Sequence, residues 1–285
     1  MKIPGRLRAL PFLLLATAAA VPALGGARRL HETKAGMARV GPAAYRPVYP
    51  PTPGETEISL PAFWLDVVPA TNGDFLAFVQ ANPAWAAGAV SPLFAEAGYL
   101  RNWSGAMELG PGAPPDAPVA HVSWFAAKAF CAWRGKRLPS TDEWELAAAA
   151  SETSPDGASD PAFAQRILSW YSLPGRGPGP RPGRAGMGPA NYWGVRDMHG
   201  LQWEWTSDFN SQLVSADNRD DGGADALQFC GTGALKAGDK NDYAAFMRIA
   251  FRSSLKGAFV GGSLGCRCAA DGDRDPPPSP MQAGN

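Results

Sequence analysis

Hydrophobic and polar positions along residues 58–271 follow both the strand and the helix period, in short stretches. Ile58 to Val68 reads ISLPAFWLDVV, an apolar run that predicts a strand region interrupted by Pro61. Thr71 or Asn72 then stands where a helix cap belongs, and Phe75, Phe78 and Val79 fall on one helical face. Ser123 caps a second predicted helix whose buried stripe carries Ala127, Phe130 and Cys131. The run Gly135 to Pro139 is a tight stop before a third. There Ser140 and Glu143 have capping-box spacing, and Trp144, Ala147 and Ala148 follow at i, i+3 and i+4. Short strand candidates lie at Gln202 to Thr206, Ala226 to Cys230 and Ser263 to Ala269. Ser172 to Pro189, rich in Gly, Pro and Arg, predicts a long surface loop. Short strands, two or three helices and long loops describe an α+β domain. In Gln202 to Thr206, Trp203 and Trp205 share one face of a strand and Glu204 takes the other. Two accounts of Glu204 stay open: a solvated carboxylate beside an aromatic core, or a ligand of a structural metal.

The ends of the chain narrow this picture to one domain over residues 58–271. Lys2, Arg6 and Arg8 precede an apolar run from Leu10 to Leu24 and the small residues Ala23, Gly25 and Gly26, the pattern of a cleaved signal peptide over residues 1–26. The run is shorter than the ~20 residues of a membrane span, so no membrane span is expected after cleavage. Residues 27–57, with RPVYPPTPG from Arg46 to Gly54, read as a Pro-rich extended lead-in, and residues 272–285 as a disordered tail. Charge adds an exclusion: 26 basic and 26 acidic residues leave no field to attract nucleic acid or an anionic membrane.

Export would place Cys131, Cys230, Cys266 and Cys268 in an oxidising, periplasmic or secreted compartment, where the four allow three fully paired connectivities. The histidines are few. His31 lies in the lead-in, while His121 and His199 read as buried hydrogen-bonded side chains or as ligands, with no facial triad in view.

Several long stretches resemble one family. PATNGDFLAFV (Pro69 to Val79), VSWFAAKAFCAWRGKRLPSTDEWELAAA (Val122 to Ala149), NYWGVRDMHGLQWEW (Asn191 to Trp205), AFRSSL (Ala250 to Leu255) and SLGCRCA (Ser263 to Ala269) are similar to successive motifs of the sulfatase-modifying-factor or formylglycine-generating-enzyme family. The resemblance implies that family's variant of the C-type-lectin fold. It also implies a disulfide between Cys131 and Cys268, and an enzyme or enzyme-like protein acting on a protein or peptide client.

Two departures change what the resemblance implies. The family's oxidising members bind copper through two cysteines that follow an R-G-G-S-like segment. Here CGTGA, from Cys230, takes that place and no thiol lies between Lys236 and Arg252. Soft Cu(I) needs sulfur ligands, so copper is not expected. Second, the family's Ca²⁺ motif has an Asn where this chain has Leu201, which leaves a weakened calcium site with Glu204 as its remaining carboxylate. Cys230, Lys236, Asp239 and Arg248 remain as candidate catalytic residues beside the groove, with a solvated surface side chain the plainer reading of Lys236 and Asp239. Cys230 and Cys266 either form a second disulfide or leave Cys230 as a functional thiol. The implied activity is modification or oxidation of an exported client without the copper pair. The alternative is a non-catalytic binding or maturation factor. GLQWEW and FCGTGA resemble a branch found beside nitrite-reductase genes, which makes a periplasmic metalloenzyme such as a nitrite reductase a candidate client.

Overall fold

The computed structural model describes residues 34–48, 56–171, 183–210 and 240–272. Three antiparallel strands form the main sheet in the order β1 (Met37–Val40), β4 (Phe63–Asp66), β7 (Ala269–Asp271), so the start and end of the described chain flank the same central strand. Val40 pairs with Phe63, and Phe63 with Asp271. A second antiparallel pair joins β2 (Ala43–Tyr45) to β3 (Ile58–Leu60), and a short parallel pair joins β5 (Trp203–Glu204) to β6 (Leu264–Gly265). Pro61 lies between β3 and β4, as a residue without a backbone donor must when it interrupts an extended run.

The helices start where their caps predict. In α1 (Asn72–Ala81) the Thr71 hydroxyl accepts from the Asp74 N–H, and the Asp74 carboxylate accepts from the Thr71 N–H. Ser123 caps α2 (Trp124–Trp133), and Ser140 and Glu143 form the expected capping box on α3 (Thr141–Ala148). Phe75, Phe78 and Val79 of α1 and Ala127 and Phe130 of α2 are buried in one core with Trp205, Leu264 and Cys266. Each such large apolar side chain contributes about 1.5–3 kcal/mol on burial. A second core gathers Val40, Phe63, Leu65, Trp144, Leu146, Trp193 and Met198.

Several elements differ from the sequence expectation. The stretch expected as a lead-in contributes β1 and β2, so the sheet reaches back to Met37, ahead of the expected boundary at residue 58. Its Met37, Ala38 and Val40 are buried, which a Pro-rich composition hides. Two helices were not expected: α4 (Pro161–Tyr171) and α5 (Lys240–Ser253). They pack on each other through Phe163, Ile167 and Ala244. The strand expected over Ser263 to Ala269 is two short strands, β6 and β7, in different sheets, with Cys266 to Cys268 linking them. The expected signal peptide, the expected tail beyond residue 272, most of the expected Ser172 to Pro189 loop and the strand expected at Ala226 to Cys230 lie outside the described residues. No helix among the described residues is long and apolar enough to cross a membrane.

Cys131, in the last turn of α2, is bonded to Cys268, just before β7, with their Cα atoms 5.5 Å apart. Cys266 is a free thiol with no exposed surface. It faces the apolar core, and its expected alternative partner Cys230 lies outside the described residues.

Candidate functional site

Beneath the short β5 strand lies a frame of buried ion pairs. Glu204 is 1% exposed, so the solvated reading of this residue fails. Arg267, with no exposed surface, grips it in bidentate fashion: Nε donates to Oε2 at 2.7 Å and Nη2 to Oε1 at 2.9 Å. The Trp144 indole N–H donates to the same Oε2 at 2.7 Å. The remaining Arg267 donors reach the carbonyls of Asp66 and Asp197, tying the central sheet to the Asn191–Gly200 segment. The carboxylate proposed as a calcium ligand is therefore the internal counter-ion of Arg267, and a cation bound there would have to displace a guanidinium. Among the described residues no three His, Cys, Asp or Glu side chains come together as a metal site.

The second pair is shared. Glu145, on α3, accepts from Arg248 Nη2 at 2.5 Å and from Arg252 Nη1 at 3.0 Å, both on α5. Arg248 and Arg252 sit four residues apart, which puts them on one helical face. Both guanidiniums also lie over the Trp144 ring, at 5.4 and 4.4 Å from its centre, where the ring's negative face favours a cation. Burial alone would raise the Glu145 carboxyl, but the two arginines hold it below the usual carboxylate range. Arg252 Nε donates to the Glu204 carbonyl at 3.1 Å, so the two ion-pair groups are joined through β5.

The frame carries a surface feature. Trp203, half-buried at the end of the frame, packs on Phe251 of α5 with ring centres 4.5 Å apart. Its backbone N–H donates to the Ser263 carbonyl, which anchors β5 on β6. Trp205 points inward and donates its indole N–H to the Val122 carbonyl. An aromatic platform on a rigid ion-paired support can hold a peptide or another flat group.

The sequence candidates separate against this geometry. Cys230, Lys236 and Asp239 lie outside the described residues, in the stretch that leads into α5. Arg248, expected beside the groove as a candidate catalytic residue, is 5% exposed and pairs with Glu145 because α5 packs its arginine face inward. Glu145, Arg252 and Arg267 did not stand out in the sequence, and Trp144 was legible only as part of the apolar stripe of α3. The available signal was two arginines at i, i+4 opposite a glutamate beside the apolar stripe of α3, and it appears only once residues 240–253 are read as a helix. His121 takes a positive φ of 57°, joins loops through backbone hydrogen bonds to Gly261 and Leu100, and has its pKa lowered by burial and by Arg101.

Among the described residues, His199 is the histidine that lies against the frame. Its Nε2 lies 2.8 Å from the Ala148 carbonyl, which can only accept, so Nε2 carries the proton. Trp144 and Phe163 meet the ring edge to face at 6.3 and 5.9 Å. Burial, reinforced by the Arg248 charge, lowers its pKa from 6.5 to about 3. A histidine that folds neutral stabilises the protein above its unfolded pKa, and that stability is lost as pH falls towards the folded value. Stability is therefore expected to drop between pH 6.5 and about 3, with Glu145 still ionised through most of that range. A tenfold difference in proton affinity between folded and unfolded chains is worth ~1.4 kcal/mol, so the full effect is on the order of a few kcal/mol. Urea unfolding at stepped pH checks this: His199→Phe should flatten the acid limb, and an unchanged slope would show that His199 is not the group responsible.

Comparison with known proteins follows the same lines. The sulfatase-modifying factor enzyme 1-like domain matches residues 24–272. The inactive C-alpha-formylglycine-generating enzyme 2 of Bos taurus is 30% identical over 256 residues, 77% of this chain and 81% of that protein. The formylglycine-generating enzyme of Streptomyces coelicolor is 32% identical over 227 residues, 73% of this chain and 67% of that protein. The hercynine oxygenase of Mycolicibacterium thermoresistibile is 34% identical over 172 residues, 53% of this chain but only 36% of the oxygenase. This chain therefore spans little more than a third of that relative. Among solved structures, PvdO from Pseudomonas aeruginosa aligns with a TM-score of 0.45 at 18% identity, covering 82% of this chain and 94% of that one.

Proposed function

The chain belongs to the sulfatase-modifying factor enzyme 1-like family, with its C-type-lectin-like fold, and from that premise we propose that it acts on another exported protein or peptide by chemistry other than copper–dithiolate oxidation. The observation that carries this reading is the state of its thiols. Cys131 and Cys268 are consumed in a disulfide. Cys266 is free, but burial, with Glu204 and Asp66 nearby, pushes its thiol far above the usual range, and a metal or an oxidant needs thiolate. No cysteine occurs from Lys236 to Arg252. The client would lie on the Trp203–Phe251 platform, which the ion-paired frame holds in place. The basic, then short apolar N-terminus supports export, and a disulfide suits an oxidising compartment.

A second reading is that the chain holds or matures its client without altering it covalently, for example a periplasmic metalloenzyme such as a nitrite reductase. It is favoured by the similarity to an inactive formylglycine-generating enzyme over 81% of that relative's length.

The test is direct. The purified mature protein, given Cu(I), oxygen and a Cys-x-Pro-x-Arg peptide, is expected to produce no aldehyde by mass spectrometry. Turnover would overturn the proposal and point to Cys230 as a metal ligand. In parallel, a client captured from the periplasm should carry a mass change under the first reading and none under the second. Trp203→Ala should weaken capture in both cases.

A further inference from the structure

One face of the protein is almost without charge. From Phe75 to Ala95, through most of α1 and the loop after it, the sequence holds no charged residue, and α2 holds one, Lys128. The outer stripe of α2 is Phe125, Ala129, Ala132 and Trp133, at i, i+4, i+7 and i+8, and Trp133 is 45% exposed. Beside the start of α2, Leu93 and Phe94 project from the loop, 79% and 44% exposed. Phe94 packs on Phe125 and on Trp85, with ring centres 5.3 and 6.1 Å apart, so the loop and the helix stripe form one surface. Large apolar side chains gathered on one exposed face mark a contact site, which scattered single ones do not.

Backbone and charge identify the occupant. Leu93 and Phe94 stand on a closed turn. The Ser91 carbonyl accepts from the Phe94 and Ala95 N–H groups at 2.8 and 3.2 Å, and the Ser91 hydroxyl accepts from the Leu93 N–H at 3.3 Å. Pro92 has no N–H, so every backbone donor from Pro92 to Ala95 is matched within the turn. Such a turn can leave water without stranding a donor, the condition for entering lipid. The charges around it are cationic in surplus. Lys128 is exposed and lies over the Trp124 ring, and exposed Lys256 precedes Gly257, which packs on the Phe125 ring. Further along, exposed Glu96 and Arg101 offset each other in sign, which leaves the two lysines as the surplus. The chain as a whole carries no net charge, so this attraction is local and acts near contact.

We propose that Leu93, Phe94 and the outer stripe of α2 form a peripheral docking surface for an anionic lipid membrane. Leu93 and Phe94 enter the boundary between headgroups and acyl chains, Trp133 lies at headgroup level, and Lys128 and Lys256 meet the lipid phosphates. The attachment needs no membrane-spanning helix. A second copy of the chain would set this cationic rim against an identical one, and a peptide partner would be held in a concave groove, not on a projecting tip. The surface serves either reading of the protein client equally.

The test uses the full mature protein and two kinds of vesicle: phosphatidylcholine alone, and phosphatidylcholine mixed with phosphatidylglycerol. Co-sedimentation should show binding about ten-fold tighter to the anionic vesicles, and Lys128→Ala with Lys256→Ala should erase that preference. Leu93→Ser with Phe94→Ser should weaken binding to the anionic vesicles by about ten-fold or more. An environment-sensitive fluorescent amino acid in place of Leu93 should shift to the blue on anionic vesicles and be quenched by a lipid-borne nitroxide. The same probe in place of Met187, which is 74% exposed, should do neither. No binding to either vesicle, equal binding to both, or binding that survives the two serines would each overturn the assignment. So would a lipid-free dimer that the two serines dissolve, which would make a second copy the occupant. The probe at position 93 decides the matter even if the double variants fail to fold.

Discussion

Glu145→Ala is expected to destabilise the protein by about 3–5 kcal/mol, the cost of removing one partner from a buried ion pair and leaving the opposite charge unmatched. Glu145 is 4% exposed, and its two partners are Arg248 at 5% and Arg252 at 1%. One deletion therefore takes a buried carboxylate away from two guanidiniums at once. Both can still lie over Trp144, but a ring face offsets only part of a desolvated charge. The loss should be centred on α5, because Arg248 and Arg252 are its anchors to α3. Hydrogen exchange should show residues 240–253 opening first, with α1 and α2 still protected. Replacing the set by apolar residues (Glu145→Leu with Arg248→Met and Arg252→Leu) should cost less than the single change, since none of these three charges is then left buried. Chemical unfolding of the two variants measures both values. A loss below about 1 kcal/mol for Glu145→Ala, the size of a surface pair, would mean that these charges are solvated in the working protein.

The frame also explains which parts of the structure were legible in the sequence. Caps and periodicity are local, so Thr71, Ser123 and Ser140 mark the starts of α1, α2 and α3 by themselves. The long motifs from Asn191 to Trp205 and from Ser263 to Ala269 carry the family fold. What stayed hidden was set by distant partners. Glu204 looks like a solvated or metal-binding residue until Arg267, 63 positions later, is placed against it. Arg248 looks like a groove residue until α5 turns it towards Glu145, 103 positions earlier. Strand β1 is too short and too close to a Pro-rich stretch to show a period, yet it pairs fully with β4. The candidates Cys230, Lys236 and Asp239 were readable only by their order relative to the family motif, and that order gives no contacts.

Removing the Cys131–Cys268 disulfide is the other change with a large expected effect. The bond spans 137 residues of sequence. Closing a loop of that length in the unfolded chain is worth up to ~5 kcal/mol in the chain-entropy model, and measured losses for native disulfides run about 2–5 kcal/mol. Both cysteines are fully buried, so Cys131→Ala with Cys268→Ala also loses a little packing, which makes the reduced native protein the necessary second comparison. Two features say where the loss would fall. The Cys268 carbonyl accepts from the Asp66 N–H, and the Cys268 N–H donates to the Asp66 carboxylate. Lys136 and Arg134, just past α2, pair with that same carboxylate. The disulfide therefore closes a junction that polar contacts already hold, and the folded state should survive its removal with little rearrangement. The cost should appear mainly in the unfolded state, as a lower melting temperature with the native spectrum retained. For a chain of this size ~1 kcal/mol shifts the midpoint by about 2–4 °C, so a drop on the order of 10 °C is expected. A drop of only about 1 or 2 °C would mean that the junction's hydrogen bonds and ion pairs suffice without the covalent link.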